Sequence, residues 1–190
     1  MTAAPHTAPH VALLGPANSV HLQRWAWALQ ARGWRVSLLS QHWRDALALP
    51  PEVALVPLPH QGQSGYLRNA GPLRRWLQAQ RPQLLHTHYA SGYGSTAMLA
   101  GWQPALLSVW GSDVQEFPQR SPLHRWLLRR NLLAARAVTS TSQAMAVQVR
   151  ELAPELQALS VVPFGVELQA FAAPAPTHTP DGTRAPGPSP

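Results

Sequence analysis

Short apolar runs alternate with longer segments of helical periodicity along most of the chain. The runs are four to six residues long and rich in Leu, Val and Ala, which is typical of strands buried in a parallel sheet. They predict strands at 10–14, 34–39, 52–57, 83–88, 104–109, 137–140 and 159–163. Apolar positions three or four residues apart predict helices between them, at 20–32, 71–81, 90–101, 121–135 and 142–152.

This alternation predicts an α/β fold: a Rossmann-like, doubly wound and mostly parallel sheet flanked by helices. Ser19 suits the N-cap of the first helix, and the unit from 10 to 39 should form a right-handed βαβ crossover. Two segments are expected to be irregular. Residues 40–51 are a loop with one helical turn at most, and 59–65 are a loop rich in Gly and Pro.

Composition divides the 190 residues into three parts. Residues 1–9 consist of Ala, Pro, Thr and His after the initial Met, a composition that predicts a flexible leader. Residues 10–173 should form one Rossmann-like domain. From 174 onwards prolines recur among small residues, with too few apolar side chains for a core, so 174–190 are expected to be a disordered tail.

Charge and cysteine usage exclude several functions. All 15 basic residues are arginines, against 8 acidic residues, and they are scattered without interleaved aromatics, so we expect no nucleic-acid partner. The chain contains no cysteine, which excludes disulfides and thiol catalysis. No apolar run approaches the ~20 residues of a membrane span. A cytoplasmic location is expected. Four arginines around one predicted helix suggest a solvated face or, alternatively, peripheral contact with the inner membrane surface: Arg125, Arg129, Arg130 and Arg136.

A polar cluster directly follows the predicted strand 104–109. Trp110, Gly111, Ser112 and Asp113 would stand at the carboxyl ends of the strands, where open α/β sheets bind ligands. Sugars are typically held by ring stacking and by carboxylate hydrogen bonds to vicinal hydroxyls, and this cluster offers both groups. Asp113 is equally well interpreted as a turn or N-cap residue.

Two further motifs lie at predicted strand ends. His86 and His88 are two residues apart and should share one face of their strand, which with Asp113 resembles the donor set of a metal-dependent hydrolase. The alternative is that one histidine packs at the strand end and the other, His88, lines the crevice. The turn 15–19 lacks the GxGxxG pattern of dinucleotide-binding folds but can still present amides to an anion.

The order of motifs resembles the N-terminal half of family 4 glycosyltransferases, retaining enzymes of the GT-B fold. NSVHLQRWA at 18–26 with RGWRV at 32–36 is similar to the family's first loop and helix. LHTHY at 85–89, SVWGSD at 108–113 and VTSTS at 138–142 are similar to three of its strand ends. VPFGVE at 162–167 with Phe171 is similar to the segment that leads to the family's second domain.

The resemblance implies sugar transfer from a nucleotide-sugar donor to an acceptor held by this half. It implies no cofactor and no metal, and it makes Asp113 and His88 the catalytic candidates. The family's Glu-containing donor half has no counterpart in this sequence, so we expect the chain to be inactive alone and to need a donor domain or a separate chain that carries one. Trp110 stands where many members have His. The alternative is a non-catalytic glycan-binding or partner-binding module. The implied substrate-binding residues are Gly15, Asn18, His21, Arg24, Tyr89, Trp110, Gly111 and Ser112.

Overall fold

Seven parallel strands form one sheet in the computed structural model, which describes residues 8–165. Each predicted strand is present, with ends that differ by up to two residues. The strands are β1 (His10–Leu14), β2 (Arg35–Ser40), β3 (Ala54–Pro57), β4 (Leu84–His88), β5 (Ala105–Ser108), β6 (Ala137–Ser140) and β7 (Leu159–Val161).

Seven α-helices connect the strands. Serine side chains cap the first, sixth and seventh of them by accepting a hydrogen bond from a backbone amide of the first turn, and the predicted N-cap Ser19 is one of these. The helices are α1 (Val20–Gln30), α2 (Gly62–Arg68), α3 (Ala70–Gln80), α4 (Gly92–Ala100), α5 (Ser112–Gln115), α6 (Pro122–Ala134) and α7 (Gln143–Leu152). Single 3-10 turns lie at Trp43–Asp45 and Phe117–Gln119.

The strand order is β3-β2-β1-β4-β5-β6-β7, with every neighbouring pair parallel. The predicted α/β, doubly wound fold is therefore confirmed. The chain builds outwards in one direction from β1 and in the other from β4, so the order reverses between these two central strands. Such a reversal leaves a crevice at the carboxyl ends of the strands.

The two faces of the sheet are covered differently. Val11 and Leu13 pack with Leu22 and Ala26 of α1 on one face. On the other face Ala12 and Leu14 pack with α3 and α4, and a second cluster joins β5 and β6 to α6 and α7. Alternate residues of β1 thus serve opposite cores, as a doubly wound sheet requires.

Two predicted loops contain helices. The expected loop 59–65 overlaps α2, and α5 begins within the polar cluster 110–113, separated from the end of β5 by three residues. A glycine at 65 suggests a loop, but Gly65 lies inside α2. The residue is small because a Cβ there would come within 2.6 Å of Gln41 Oε1 and 2.7 Å of the His60 carbonyl oxygen. Tertiary packing, and not turn geometry, accounts for this glycine.

The predicted leader and tail fall largely outside the described residues. Of the leader 1–9 only Ala8 and Pro9 are described, and the tail 174–190 lies outside entirely. None of the helices within 8–165 combines the length and apolar character needed to cross a bilayer.

Candidate functional site

Three loops meet at the carboxyl edge of the sheet. They follow β1 (Gly15–Ser19), β4 (Tyr89–Ser91) and β5 (Val109–Gly111), and the first two flank the point where the strand order reverses. All of the site residues expected from the sequence lie in these loops or in the first turns of the helices after them, except His88, the last residue of β4. The topology therefore brings the predicted residues to one edge.

Asp113 joins two of these loops. Its side chain is fully buried. One oxygen, Oδ2, accepts from the amide of Ala90 at 2.7 Å and from that of Trp110 at 3.2 Å. The other, Oδ1, accepts from the amides of Trp110 at 3.0 Å and Gly111 at 2.8 Å. The carboxylate thus ties the loop after β4 to the loop after β5.

Burial raises the pKa of Asp113, and the hydrogen bonds from Ala90, Gly111 and Trp110 act against that rise. Both oxygens are occupied by backbone donors, and no part of the side chain reaches solvent. The Asp113 carboxylate was expected to face the crevice, but in this structure it faces the backbone amides of the two loops. The geometry fits the alternative of a turn residue that joins the two loops, and a catalytic role for Asp113 stays a prediction.

His86 and His88 point to the same face of β4, as their spacing predicts, and their ring centroids are 4.0 Å apart. His86 Nε2 hydrogen-bonds Ser108 Oγ at 2.8 Å, whereas both ring nitrogens of His88 are buried without a partner among the described residues. Burial lowers the pKa of His86 to about 3, and burial together with His86 lowers that of His88 well below its usual value. Both rings are therefore neutral at physiological pH.

His88 does not reach the open crevice in this conformation, and its expected role there stays a prediction. Its side chain is 0% exposed because the ring is enclosed by His86, Trp25 and Trp110. Within residues 8–165 no group of three or more His, Asp or Glu side chains is arranged to hold a metal ion. With the Asp113 oxygens engaged by amides, the metal-hydrolase alternative lacks a donor set among these residues.

Trp110 is the centre of an aromatic cluster at the crevice. Its ring lies edge-on to His21 at 5.6 Å, to Tyr89 at 6.1 Å and to Phe164 at 5.7 Å between centroids. The indole Nε1 is buried and has no hydrogen-bond partner within residues 8–165. The rings form one contiguous aromatic cluster, and its expected role in holding a sugar stays a prediction.

The segment after β7 closes one side of this cluster. Phe164 stacks on His21 with centroids 3.7 Å apart, and Arg24 donates to the Gly165 carbonyl at 2.6 Å. Burial, with a smaller contribution from Arg24, lowers the pKa of His21. A cavity of about 450 Å³ lies between α1 and residues 162–165, with Arg24 among its lining residues.

Tyr89 and Gly111 have unusual backbone conformations. Tyr89 has φ 78°, which is strained for a residue with a side chain, and Gly111 has φ 141°, which favours glycine. The Tyr89 hydroxyl lies 2.6 Å from Ser112 Oγ, a second link between the loops after β4 and β5. Strain of this kind is stored where surrounding contacts over-determine the backbone.

Gly15 allows the loop after β1 to approach β4. A Cβ on Gly15 would lie 3.0 Å from Leu22 Cδ2 and 3.1 Å from His88 Cβ. Asn18, in the same loop, is exposed. Of the two predicted binding residues in this turn, Gly15 is thus a packing residue, and Asn18 is available to a ligand.

Residues 10–142 match the family model described as Glycosyl transferase 4-like. The match spans more than half of the 190 residues. The chain belongs to this family. A search of curated protein sequences found no match.

Solved structures share the fold of this glycosyl transferase 4-like chain. Sucrose-phosphate synthase from Thermosynechococcus elongatus superposes with a TM-score of 0.63 at 16% identity, over 85% of this chain and 49% of that one. The UDP-GlcNAc 2-epimerase from Methanocaldococcus jannaschii gives 0.56 at 11%, over 82% and 45%. A glycosyltransferase from Rickettsia africae gives 0.55 at 14%, over 93% and 48%. The chain spans about half the length of these proteins, and identities this low show a shared fold alone.

Two features of the site in this glycosyl transferase 4-like domain were not anticipated. The first is Phe164, which the sequence placed in a connecting segment and not against His21. The second is a network at the end of β2, where the Tyr93 hydroxyl lies 3.1 Å from Ser40 Oγ and 2.8 Å from His42 Nδ1. Small residues dominate the sequence of α4, so Tyr93 was not singled out. The available signal was one large aromatic residue among these small ones.

Proposed function

We propose that the chain forms the acceptor-side half of a retaining glycosyltransferase, which transfers a sugar from a nucleotide-sugar donor to an acceptor bound at the crevice. The family match supports transferase chemistry of this class. The observation that carries the proposal is the aromatic cluster around Trp110, next to the point where the strand order reverses.

In this proposal Trp110 and Tyr89 form the wall against which a sugar ring packs. Aromatic faces suit the apolar C–H surface of a sugar, and Ser112 Oγ and the Tyr89 hydroxyl offer hydrogen bonds to its hydroxyls. Asp113 holds both loops by their amides, so the wall keeps its shape when a ligand binds. Asn18 and Arg24 extend the polar rim along the first helix.

The negative charge that develops on the leaving diphosphate has to be stabilised largely by groups on the opposite side of the crevice. Glycosyl transfer breaks the bond between the anomeric carbon and the leaving diphosphate and forms a bond to the acceptor oxygen, whose proton is lost. Negative charge develops on the diphosphate, which cations and amide donors stabilise. The buried His86 and His88 are neutral, and Asp113 is enclosed, so these groups supply no cation. We therefore propose that a donor-binding half completes the site.

A glycan array probed with the full chain tests acceptor binding. Oligosaccharides and glycolipids are presented to the wild-type protein and to Trp110→Ala. We expect saturable binding of one glycan class and about tenfold weaker binding by the variant, the value of one aromatic contact. Trp110→Phe keeps a ring and should recover most of the affinity. Trp27→Ala, which alters an exposed tryptophan of α1, is the matched control and should bind as the wild type does.

Activity is measured separately with a panel of nucleotide sugars, alone and with a donor-binding domain added. Release of nucleoside diphosphate, together with a product of unchanged anomeric configuration by NMR, supports the proposal. Inversion at the anomeric carbon contradicts the retaining mechanism. Glycan binding that persists without transfer under every donor condition supports the non-catalytic binding module. An absence of glycan binding refutes the acceptor-side role.

A further inference from the structure

The outward surface of α6 carries large apolar side chains where a surface helix normally carries polar ones. Leu123 is 67% exposed and Trp126 is 55% exposed, one helical turn apart. The Arg130 guanidinium lies over the Trp126 ring, 5.7 Å from its centroid. We call these three residues, together with the exposed Arg120 and Arg125, which are close to them in the sequence, the α6 surface.

The charges on and around this helix are almost all positive. The sequence of α6 contains no acidic residue, and Arg129 forms an ion pair with Glu155 of the loop after α7. Arg125 and Arg130 form neither an ion pair nor a side-chain hydrogen bond with any described residue. By contrast, Arg32, just after α1, donates to the backbone carbonyl of Ala28. The cationic groups of the α6 surface are therefore available to an external anion.

We propose that the α6 surface contacts an anionic lipid bilayer. Tryptophan and leucine insert favourably at the boundary between headgroups and acyl chains, and arginines beside them pair with lipid phosphates. The exposed Trp126 ring with the Arg130 guanidinium over it combines an apolar and a cationic group at one place. This combination suits a surface that is apolar at one depth and anionic at the next.

The position of the helix makes such contact useful to the site. The N-terminus of α6 lies at the carboxyl edge of the sheet, where His124 packs edge-on against Phe117 of the turn that follows α5. Leu123 and Trp126 belong to the half of α6 nearest the crevice. Docking would hold the crevice close to the lipid headgroups. The proposal itself does not depend on the reaction catalysed.

Vesicle flotation with the full chain tests the proposal. The vesicles consist of phosphatidylcholine alone or of phosphatidylcholine mixed with phosphatidylglycerol. We expect binding to the mixed vesicles that weakens as salt rises. Leu123→Ser with Trp126→Ser should lower the partition coefficient at least about tenfold, since each side chain buries a large apolar surface. Arg125→Gln with Arg130→Gln should lower it about fivefold per arginine on mixed vesicles.

Matched controls separate the surface from general stickiness. Trp27→Ser with Leu67→Ser removes a tryptophan and a leucine that are 48% and 56% exposed on other helices. Arg68→Gln with Arg75→Gln removes the same charge from α2 and α3. Both controls should bind vesicles as the wild type does. Equal losses in the controls and the α6 variants overturn the proposal, as does an absence of vesicle binding. Self-association that only the α6 variants abolish overturns it in favour of a second copy of the chain.

Discussion

Replacement of Asp113 tests whether one carboxylate holds the crevice loops together. Asp113→Ala leaves three backbone amides without their acceptor: those of Ala90, Trp110 and Gly111. The Ala90 residue is fully buried, so water cannot replace the lost bond there. Trp110 and Gly111 are only partly buried, and their amides regain some hydration.

These contacts give the magnitude of the effect. A buried donor left unpaired costs about 1–3 kcal/mol, and each partly rehydrated amide adds about 0.5–1 kcal/mol. Release of the cost of burying a carboxylate offsets about 1 kcal/mol of this. We expect Asp113→Ala to lower the free energy of unfolding by about 1–4 kcal/mol. Asp113→Asn keeps one oxygen but turns an amino group towards a backbone donor, and should cost about 2 kcal/mol.

Urea unfolding followed by far-ultraviolet circular dichroism measures both variants. Glu116→Ala provides the control, because this carboxylate lies three residues away, is exposed and forms no side-chain hydrogen bond with the described residues. It should change stability by less than about 0.5 kcal/mol. A loss below about 1 kcal/mol in Asp113→Ala would refute the loop-holding role.

Three further predictions concern the surroundings of this carboxylate. The pKa of His86 falls from 6.5 in the unfolded chain to about 3 in the folded one. Between pH 6.5 and about pH 3 the unfolded chain therefore binds one more proton than the folded chain. The stabilisation from this group is fully present above pH 6.5 and is lost as the pH falls. Urea midpoints should show a loss of about 2 kcal/mol from His86 between about pH 7 and pH 5, with a further loss from His88, and His86→Gln should reduce the slope. Gly15→Ala should lower the free energy of unfolding by about 1–2 kcal/mol, measured by thermal unfolding, because its Cβ crowds His88. A double-mutant cycle of Tyr89→Phe and Ser112→Ala should give a coupling energy of about 1 kcal/mol, and a value near zero would mean that the hydroxyls do not interact.

Local sequence patterns predicted the fold well because each element carries its own signal. The buried strands appear in the sequence as short apolar runs, and the alternation of these runs with helices predicts a parallel sheet. The shared face of His86 and His88 followed from the two-residue period of a strand. Helix α2 was missed because Gly65 is small for a reason that lies elsewhere in the chain, at Gln41 and His60.

The site was harder to predict because its contacts join residues far apart in sequence. Asp113 reaches the Ala90 amide 23 residues back, and Arg24 meets the Gly165 carbonyl 141 residues on. No periodicity encodes such pairings. The residue types at the crevice were therefore predictable, whereas their roles were not. A carboxylate next to a tryptophan suggests sugar binding equally well whether it faces a ligand or a backbone amide.

Burial distinguishes a side chain that faces a ligand from one that faces the protein interior. Both catalytic candidates face the interior. Asp113 and His88 are both enclosed, one with its oxygens satisfied by amides and the other with its nitrogens unpartnered. Neither presents a charge to the crevice. What this wall offers a ligand is an aromatic surface, a few hydroxyls and the Arg24 guanidinium at its rim. Such a wall favours recognition of an uncharged sugar ring over stabilisation of a leaving phosphate. For that reason we propose that this half of the site holds the acceptor and not the donor.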